Sequence, residues 1–295
     1  MKIFGNKKIV QALEKSAEDK NISQAYAFIG PEGVGKFFLA LKMAKELCGT
    51  GENNPDIMII KPEIEEKKGI IKQKEIKLDQ IKELQRHFVL SGKKGGFRVG
   101  IIDNAEKMNK SAQNAMLKTL EDPAPGTVAI LIIQNPEKIV LTIMSRCQIK
   151  KFGPVSKLEM EQLFSEKGVK EAELKAELVF WSLGRPGIAV SLIDNPEELK
   201  ARKLAVEEVT NLFKKNITEK FRQAEEMSKD SGLVIKKMNW WIIALRELAL
   251  GKIKNPNISS QKAYEVINKI IKCQVLIRET NTNIKLVLEN LLLNF

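Results

Sequence analysis

Gly30-Pro31-Glu32-Gly33-Val34-Gly35-Lys36-Phe37 is the stretch of sequence that decides the fold. Its first seven residues match the phosphate-binding pattern G-x-x-x-x-G-K, in which a glycine-rich backbone wraps around an anion and the lysine adds a cation. An apolar segment, residues 25–29, precedes it, and an amphipathic segment, residues 36–47, follows it. A strand, a glycine-rich loop and a helix in this order predict a nucleotide-binding unit. The candidate phosphate-contacting residues are Gly30, Gly33, Val34, Gly35, Lys36 and Phe37.

The metal side of this predicted site is incomplete. The position after the lysine usually carries Ser or Thr, whose hydroxyl ligates Mg²⁺, and here it is Phe37. Further along, the apolar segment 98–102 leads to Asp103, which fits a metal-binding carboxylate, and then to Asn104, where many ATPases of this type have a glutamate that activates water. An amide can orient a water but cannot take its proton. We therefore expect a degenerate site with little or no ATP hydrolysis, in which ATP or ADP binding stays open and Mg²⁺ binds only with a nucleotide.

Strand-like and helical segments alternate through the first half of the chain. Strands are predicted at residues 25–29, 56–60, 98–102, 128–133 and 148–152, and helices at residues 36–47, 78–90 and after the N-cap residue Asn109. Residues 61–77 are expected to be an exposed connection, and residues 92–96 a turn. The alternation predicts an α/β fold, with a parallel sheet that helices cover on both faces.

The pattern becomes entirely helical after Gly153-Pro154. We predict three domains: residues 1–153 form the α/β domain, residues 154–196 a small helical domain, and residues 197–295 an all-α C-terminal domain. In the last helix one face carries Ile284, Val287, Leu288, Leu291, Leu292 and Phe295. This face is expected to pack within the chain, and Trp240 and Trp241 are expected in the core and rim of the same domain.

Charge and hydropathy limit the classes of function. The net charge of +12 and the pI near 9.4 favour an acidic partner such as nucleic acid, although Lys and Glu interspersed along helices are equally typical of a solvated surface. No apolar segment is long enough to cross a bilayer, and the N-terminus lacks the apolar core of a signal peptide. The sequence therefore predicts a cytoplasmic protein without membrane contact.

Cysteine and histidine are scarce. Cys48, Cys147 and Cys273 are far apart in the sequence, so we expect no disulfide and interpret them as small buried residues of a reducing compartment. His87 is the single histidine and lies in a charged helix, where a surface or capping residue is expected rather than a catalytic base. Histidine-based triads and metal sites are largely excluded.

Three further motifs carry a family resemblance. They are residues 101–106 (IIDNAE), residues 113–123 (QNAMLKTLEDP) and residues 142–147 (TIMSRC), which follow the phosphate loop in that order. Together they closely resemble clamp-loader subunits of the AAA+ superfamily, and residues 281–293 are similar to the end of the stator type of bacterial clamp-loader subunit. The resemblance extends over the whole chain and identifies the three predicted domains as an AAA+ domain, a lid domain and a collar domain.

The resemblance implies a function. Such subunits form a ring of five that opens the sliding clamp and places it on primer-template DNA. A stator subunit contacts a motor ATPase and the clamp-opening delta subunit, and the clamp indirectly. The arginine of the Ser145-Arg146-Cys147 motif reaches into the neighbour's ATP site, where a guanidinium stabilises charge on the transferred phosphate. The alternative for Arg146 is a salt bridge within the chain.

Two more departures from active relatives follow from the resemblance. Active subunits carry a nucleotide-sensing arginine in the lid, and the aligned position here is Gly187, with Arg185 nearby but displaced. Many bacterial relatives have a four-cysteine zinc module after the position of Cys48; residues 49–55 contain no further cysteine, so no zinc is expected.

Two other functions stay open at this point. Lys36 and Asp103 would also suit a catalytically active clamp-loader ATPase of the motor type, but Phe37, Asn104 and Gly187 oppose it. A nucleotide kinase uses the same loop, yet it needs a cluster of phosphate-gripping arginines that the sequence lacks. A DNA contact, if present, is expected from helix N-termini and lysines reading the backbone.

Overall fold

The computed structural model describes residues 3–19, 21–49, 51, 54–67, 70–89, 96–251, 258–279 and 282–295. The chain folds into two compact units. The first comprises residues 1–64 and 73–193, and the second comprises residues 65–72 and 194–295. Residues 154–193 thus group with the sheet, and a separate small domain there stays a prediction.

Seven strands and thirteen α-helices, numbered in chain order, form the part of the chain that the structure describes. The strands are β1 (Ala25–Ile29), β2 (Ile57–Ile60), β3 (Ile64–Lys67), β4 (Ile70–Gln73), β5 (Arg98–Ile102), β6 (Thr127–Ile133) and β7 (Gln148–Lys151). The helices are α1 (Lys7–Glu18), α2 (Lys36–Cys48), α3 (Leu78–Val89), α4 (Lys110–Glu121), α5 (Leu141–Met144), α6 (Lys157–Glu166), α7 (Ala172–Ser182), α8 (Pro186–Asp194), α9 (Pro196–Leu212), α10 (Ile217–Ser228), α11 (Ser231–Ala249), α12 (Ser260–Glu279) and α13 (Ile284–Leu292).

The main sheet has five strands in the order β2-β5-β6-β1-β7, and each of its pairings is parallel. Alternate side chains of β1 point to opposite faces. Tyr26 and Phe28 pack with α2 residues such as Leu39, while Ala27 packs on the other face with α3 residues such as Leu84. Both faces are therefore covered by helices, and the predicted α/β fold with a parallel sheet is confirmed.

The segment between β2 and α3 corrects a prediction. Residues 61–77 were expected to be an exposed connection, but β3 and β4 lie there and form a two-stranded sheet of their own. Ile76 is fully buried and forms a parallel bridge with Met108. The many charged residues of this segment concealed the β-branched ones that pair. The predicted turn at residues 92–96 lies outside the described residues except for Gly96.

The second unit is built around the last five helices. Phe295 follows α13 and lies against two aromatic rings, with centroid distances of 5.1 Å to Phe213 and 5.8 Å to Trp241. Val287, Leu288, Leu291 and Leu292 are buried as well, so the apolar face of the last helix packs within the chain as predicted. Trp240 and Trp241 are both in the core. Within the described ranges, every helix is too short or too polar to span a bilayer.

Candidate functional site

The phosphate loop has the backbone conformation that its glycines predict. β1 ends at Ile29 and α2 begins at Lys36, so the loop delivers the N–H groups of a helix N-terminus to one point. Gly33 has φ of +80°, and a Cβ there would lie 2.8 Å from the Cγ1 of Ile188. Only glycine combines this left-handed conformation with so close a neighbour. Val34 differs from the other candidate residues, because its side chain is buried in the core.

Lys36 is the buried cation of the loop. The residue is only 5% exposed, and its ammonium donates hydrogen bonds to the carbonyl oxygens of Gly30 and Pro31, the second at 2.6 Å. Burial lowers the pKa of Lys36, and the negative charges of Glu106, Asp103 and Glu32 oppose that shift, in decreasing order. The loop therefore holds a positive charge at the place where an anion would bind.

Phe37 occupies the position of the metal-binding hydroxyl. Its ring is half-buried and packs against the core on the α2 side of the sheet. The ammonium of Lys61 lies 4.2 Å from the ring centroid, in the geometry of a cation–π contact. The position thus contacts a cation, but that cation is an ammonium group of the chain.

Asp103 lies at the carboxyl edge of the sheet, one residue past β5. The N–H of Asp103 donates to the carbonyl of Ile60 at 2.9 Å, and Ile60 is in register with Ile102. Lys61, the first residue after β2, therefore lies next to Asp103. Burial raises the pKa of Asp103, while Lys61, the N–H of Asn104 and Lys36 lower it. The charges of both lysines therefore favour the ionised form of this carboxylate.

Asn104 is engaged by a residue that the sequence analysis missed. Its φ of 52° and ψ of 52° place it in the left-handed region, and its Oδ1 accepts a hydrogen bond from the Nε2 of Gln134 at 2.7 Å. The N–H of Gln134 donates to Glu106, a buried acid that also faces Lys36. Gln134 directly follows β6, the neighbour of β5, and that position at the end of an adjacent parallel strand was the signal that could have identified it.

Helix α8 lies directly on the phosphate loop. The N–H of Gly187 donates to the carbonyl oxygen of Gly33 at 2.7 Å, and a Cβ at Gly187 would lie 3.1 Å from the Cα and the oxygen of Gly33. Gly187, aligned by the resemblance with a sensing arginine, therefore faces the loop. Arg185 donates from its Nε to the carbonyl of Ser182 at 3.1 Å.

The side chains of Ser145, Arg146 and Cys147 lie in three different environments. The hydroxyl of Ser145 closes the end of α5 by donating to the carbonyl of Thr142 at 3.1 Å. Cys147 packs against the core on the α3 side of the sheet, and burial raises the pKa of its thiol to about 11. The side chain of Arg146 is 37% exposed, donates to the Thr142 carbonyl at 3.0 Å and forms an ion pair with Glu121 at 2.9 Å. The salt bridge considered as the alternative role of Arg146 is therefore present.

Arg146 and the phosphate loop lie at opposite edges of one sheet. Arg146 lines a cavity of about 140 Å³ together with Ala25 and Thr127, which are the first residues of β1 and β6. The loop begins at Gly30, at the other end of β1, which is roughly 16 Å away at about 3.3 Å per residue. Arg146 and the phosphate loop of its own chain are thus separated by about the length of β1.

The segment that carries Arg146 is anchored by a buried amide. The Nε2 of Gln113 donates to the carbonyls of Met108 and Lys138, each at 3.1 Å, and its Oε1 accepts from the N–H of Val140 at 3.0 Å. These bonds join α4 to the residues directly before α5. The predicted motif residue Gln113 thus fixes the approach to Arg146 rather than contacting a ligand.

The remaining polar residues that the sequence analysis named are His87 and the three cysteines. His87 is half-buried, and its Nε2 lies 3.3 Å from the carbonyl of Asp56 while its own carbonyl accepts from Arg98 at 3.0 Å. His87 thus lies in the last turn of α3, where it is partly exposed and contacts a backbone carbonyl. Cys48, Cys147 and Cys273 are free and half-buried. Within the described ranges, no group of three or more His, Cys, Asp or Glu side chains is arranged to hold a metal ion.

A parallel sheet with a glycine-rich phosphate loop after its first strand, and an acidic residue after a strand that one further strand separates from it, defines a class, the AAA+ type of P-loop protein. Residues 5–156, just over half of the chain, match the family model described as DNA polymerase III, delta subunit, and the chain belongs to that family. The resemblance to bacterial clamp-loader subunits is thereby confirmed.

Similar proteins agree with this assignment. DNA polymerase III subunit delta' of Bacillus subtilis is 32% identical over 179 residues, which cover 55% of this chain and 52% of the relative. The subunit delta' of Pseudomonas aeruginosa is 31% identical over 215 residues, 66% of this chain and 63% of the relative. The chain thus spans about half to two thirds of the length of these relatives.

The solved structure of a DNA polymerase III gamma subunit-related protein from Thermotoga maritima has the same fold. It superposes with a TM-score of 0.55 at 19% identity, and the superposition covers 97% of each chain.

Proposed function

We propose that this protein is the delta-prime-like stator of a bacterial clamp loader, which helps to place the sliding clamp on primer-template DNA. Its partners are a motor ATPase subunit and the clamp-opening delta subunit, with the clamp contacted indirectly, in the cytoplasm. The observation that carries the proposal is the position of Arg146, which is solvent-accessible at the sheet edge opposite the chain's own phosphate loop. A guanidinium in that place suits the ATP site of a neighbouring subunit.

The ion pair with Glu121 is compatible with this role. Both side chains are well exposed, at 37% and 53%, and exposed pairs stabilise a protein by only about 0–1 kcal/mol. A phosphate presents more negative charge than one carboxylate and accepts a guanidinium in two-point geometry. Glu121 therefore orients Arg146 in the free chain without preventing its transfer to a phosphate.

The chain's own loop is poorly suited to hydrolysis. Phe37 supplies no oxygen to a metal, and the amide of Asn104 is bonded to Gln134 where a catalytic carboxylate would have to accept a proton. We expect negligible ATP turnover by the isolated chain. An active motor-type ATPase is the alternative, favoured by the retained Lys36 and Asp103, and robust turnover that Lys36→Ala abolishes would establish it.

The proposed role of Arg146, an arginine finger that acts in a neighbouring subunit, is tested in the assembled ring. Arg146→Ala is expected to lower ATP hydrolysis at the neighbour's site by about 10³-fold if the guanidinium acts there, and to lower the clamp- and DNA-stimulated hydrolysis of the ring by that site's share. Arg146→Lys is expected to restore little, because an ammonium cannot bind in two-point fashion. Lys110→Ala, which removes a cation from α4, is the matched control. Hydrolysis at the unmutated rate by a correctly assembled Arg146→Ala ring contradicts the proposal.

DNA contact is the other part of the proposal. The net charge of +12 favours a backbone contact by lysines, whose affinity falls as salt rises because condensed counterions are released. Filter binding of primer-template DNA to the assembled ring at several salt concentrations measures this. An affinity that does not change with salt would exclude such a contact.

A further inference from the structure

Lys61 lies where the metal side of a phosphate loop would be. It is the first residue after β2, as Asp103 is after β5, and the last residues of these two strands, Ile60 and Ile102, are in register. Both therefore lie at the sheet edge where the phosphate loop follows β1. Its ammonium lies 4.2 Å from the ring centroid of Phe37, the residue that replaces the metal-binding hydroxyl. The fold thus brings the ammonium of Lys61 next to Phe37 at the place where a metal site would be expected.

Magnesium does not fit these residues. Mg²⁺ needs an octahedron of oxygen ligands, usually from carboxylates, hydroxyls, water and phosphate. Phe37 contributes no oxygen, and its ring lies under the ammonium of Lys61. Lys61 follows β2 next to the position of Asp103, so a divalent cation bound there would lie close to an ammonium group.

The phosphate side of the site does fit an anion. Lys36 is buried in the loop, the helix N-terminus of α2 faces the same point, and Gly30, Gly33 and Gly35 keep positive φ values of 153°, 80° and 92°. These features bind phosphate through the backbone and one cation, and none of them depends on a metal.

We propose that the ammonium of Lys61 takes the place of Mg²⁺, so that the loop binds the pyrophosphate group of a nucleoside di- or triphosphate without a divalent cation. Mg²⁺ with one aspartate leaves a charge of +1 at this position, whereas Lys61 with Asp103 leaves none, so more of the attraction for phosphate must come from direct hydrogen bonds. The ligand is therefore held by Lys36, Lys61 and backbone N–H groups. With no metal, the site also lacks the group that aligns phosphate for transfer, so it binds its nucleotide without using it.

Titration calorimetry of the isolated chain with ADP, in Mg²⁺ and in EDTA, tests this. The dissociation constant of the unmutated chain is expected to change less than about threefold between the two conditions. Lys61→Ala is expected to weaken ADP binding about 10- to 100-fold in EDTA, the effect of one charged hydrogen bond. Lys61→Arg keeps the cation and is expected to bind without metal. The double variant Lys61→Ala, Phe37→Thr, which restores the hydroxyl, is expected to bind ADP only with Mg²⁺.

Lys77→Ala is the control, since it removes an exposed lysine from the same part of the chain, and thermal melting identifies any variant that does not fold. The proposal is overturned if the unmutated chain requires Mg²⁺ to bind ADP, if it binds no ADP in either condition, or if folded Lys61→Ala binds as tightly as the unmutated chain in EDTA. The measurement needs no partner subunit. Its outcome is therefore separate from that of the Arg146 experiment on the assembled ring.

Discussion

The charged side chains at the sheet edge stabilise one another in a partly buried site. Burial lowers the pKa of Lys36 and raises that of Asp103, and in each case the opposite charge of the other residue opposes the shift. Lys61 adds a second cation next to Asp103. The charges of these three residues therefore offset part of the cost of burying them.

His87 gives the stability of the protein a predicted pH dependence. Burial, and then the charge of Arg98, lowers the pKa of His87 below its usual 6.5. Below about pH 6.5 the unfolded chain takes up a proton that the folded chain resists, so the free energy of unfolding falls as pH falls through this range. The slope contributed by one group is at most about 1.4 kcal/mol per pH unit.

Urea unfolding between pH 5 and 8 measures this effect, with His87→Gln as the comparison. His87 is the single histidine of the chain, so the difference between the two proteins isolates its titration. The unmutated protein is expected to lose more stability than the variant on acidification. Parallel curves for the two proteins would show that the imidazole titrates alike in the folded and unfolded states.

The cysteines are predicted to be slow nucleophiles. Burial raises the pKa of Cys48 and of Cys147 to about 11, and that of Cys273 in the same direction. At pH 8 only about one in a thousand of the thiols with a pKa near 11 is a thiolate, which is the reactive form. A thiol reagent such as DTNB is therefore expected to label the folded chain slowly and the urea-unfolded chain fully. Rapid labelling of Cys147 in the folded chain would contradict its packing against the core.

The contact between helix α8 and the phosphate loop requires glycine at positions 33 and 187. A Cβ at Gly33 would meet the side chain of Ile188 at 2.8 Å, whereas a Cβ at Gly168, which has a similar φ of +75°, would meet nothing within 4 Å. Gly33→Ala and Gly168→Ala thus share the backbone strain of about 1–2 kcal/mol and differ in packing. We expect Gly33→Ala to cost about 1–3 kcal/mol more.

Chemical denaturation of the two variants measures this difference, and adding Ile188→Ala to Gly33→Ala provides a further check. Because the added methyl would then occupy the space of the lost side chain, the double variant is expected to be more stable than the sum of the single changes indicates. Equal costs for Gly33→Ala and Gly168→Ala, or strict additivity with Ile188→Ala, would show that α8 does not rest on the loop.

For the molecule as a whole, the sequence predicted the elements whose apolar residues repeat regularly. The buried strands 25–29 and 98–102 were predicted with their observed bounds, because central strands of a parallel sheet are apolar on both faces. The helix α1 was not predicted. The pairing of β3 with β4 was concealed, because these strands are short and lie in a highly charged segment without the apolar pattern that identifies buried strands.

The candidate site was predictable only where a residue belongs to a continuous motif. Lys36, Phe37 and Asp103 could be found because each follows a recognisable apolar strand or loop. Gln134 and Lys61 come from other strand ends, and only the order β2-β5-β6-β1 brings them to the same edge. That order is set by long-range pairing, which a single sequence read along the chain does not contain.

The two compact units can be observed separately through the three tryptophans. Trp181 lies in the first unit, and Trp240 and Trp241 lie in the second. Phe295→Ala removes a ring that packs on Phe213 and Trp241 inside the second unit, at a cost of about 3 kcal/mol. With urea m-values of about 1–3 kcal/mol per molar, the unfolding midpoint of that unit is expected to fall by about 1–3 M.

Tryptophan fluorescence in urea tests this prediction in variants that keep the tryptophans of only one unit. A Trp181→Phe background leaves the two tryptophans of the second unit, and a Trp240→Phe, Trp241→Phe background leaves the one in the first. Because the contacts that Phe295→Ala removes lie within the second unit, only the first background is expected to show the lower midpoint. An equal shift in both backgrounds would mean that the chain unfolds as one cooperative body, so that the second unit does not unfold without the first.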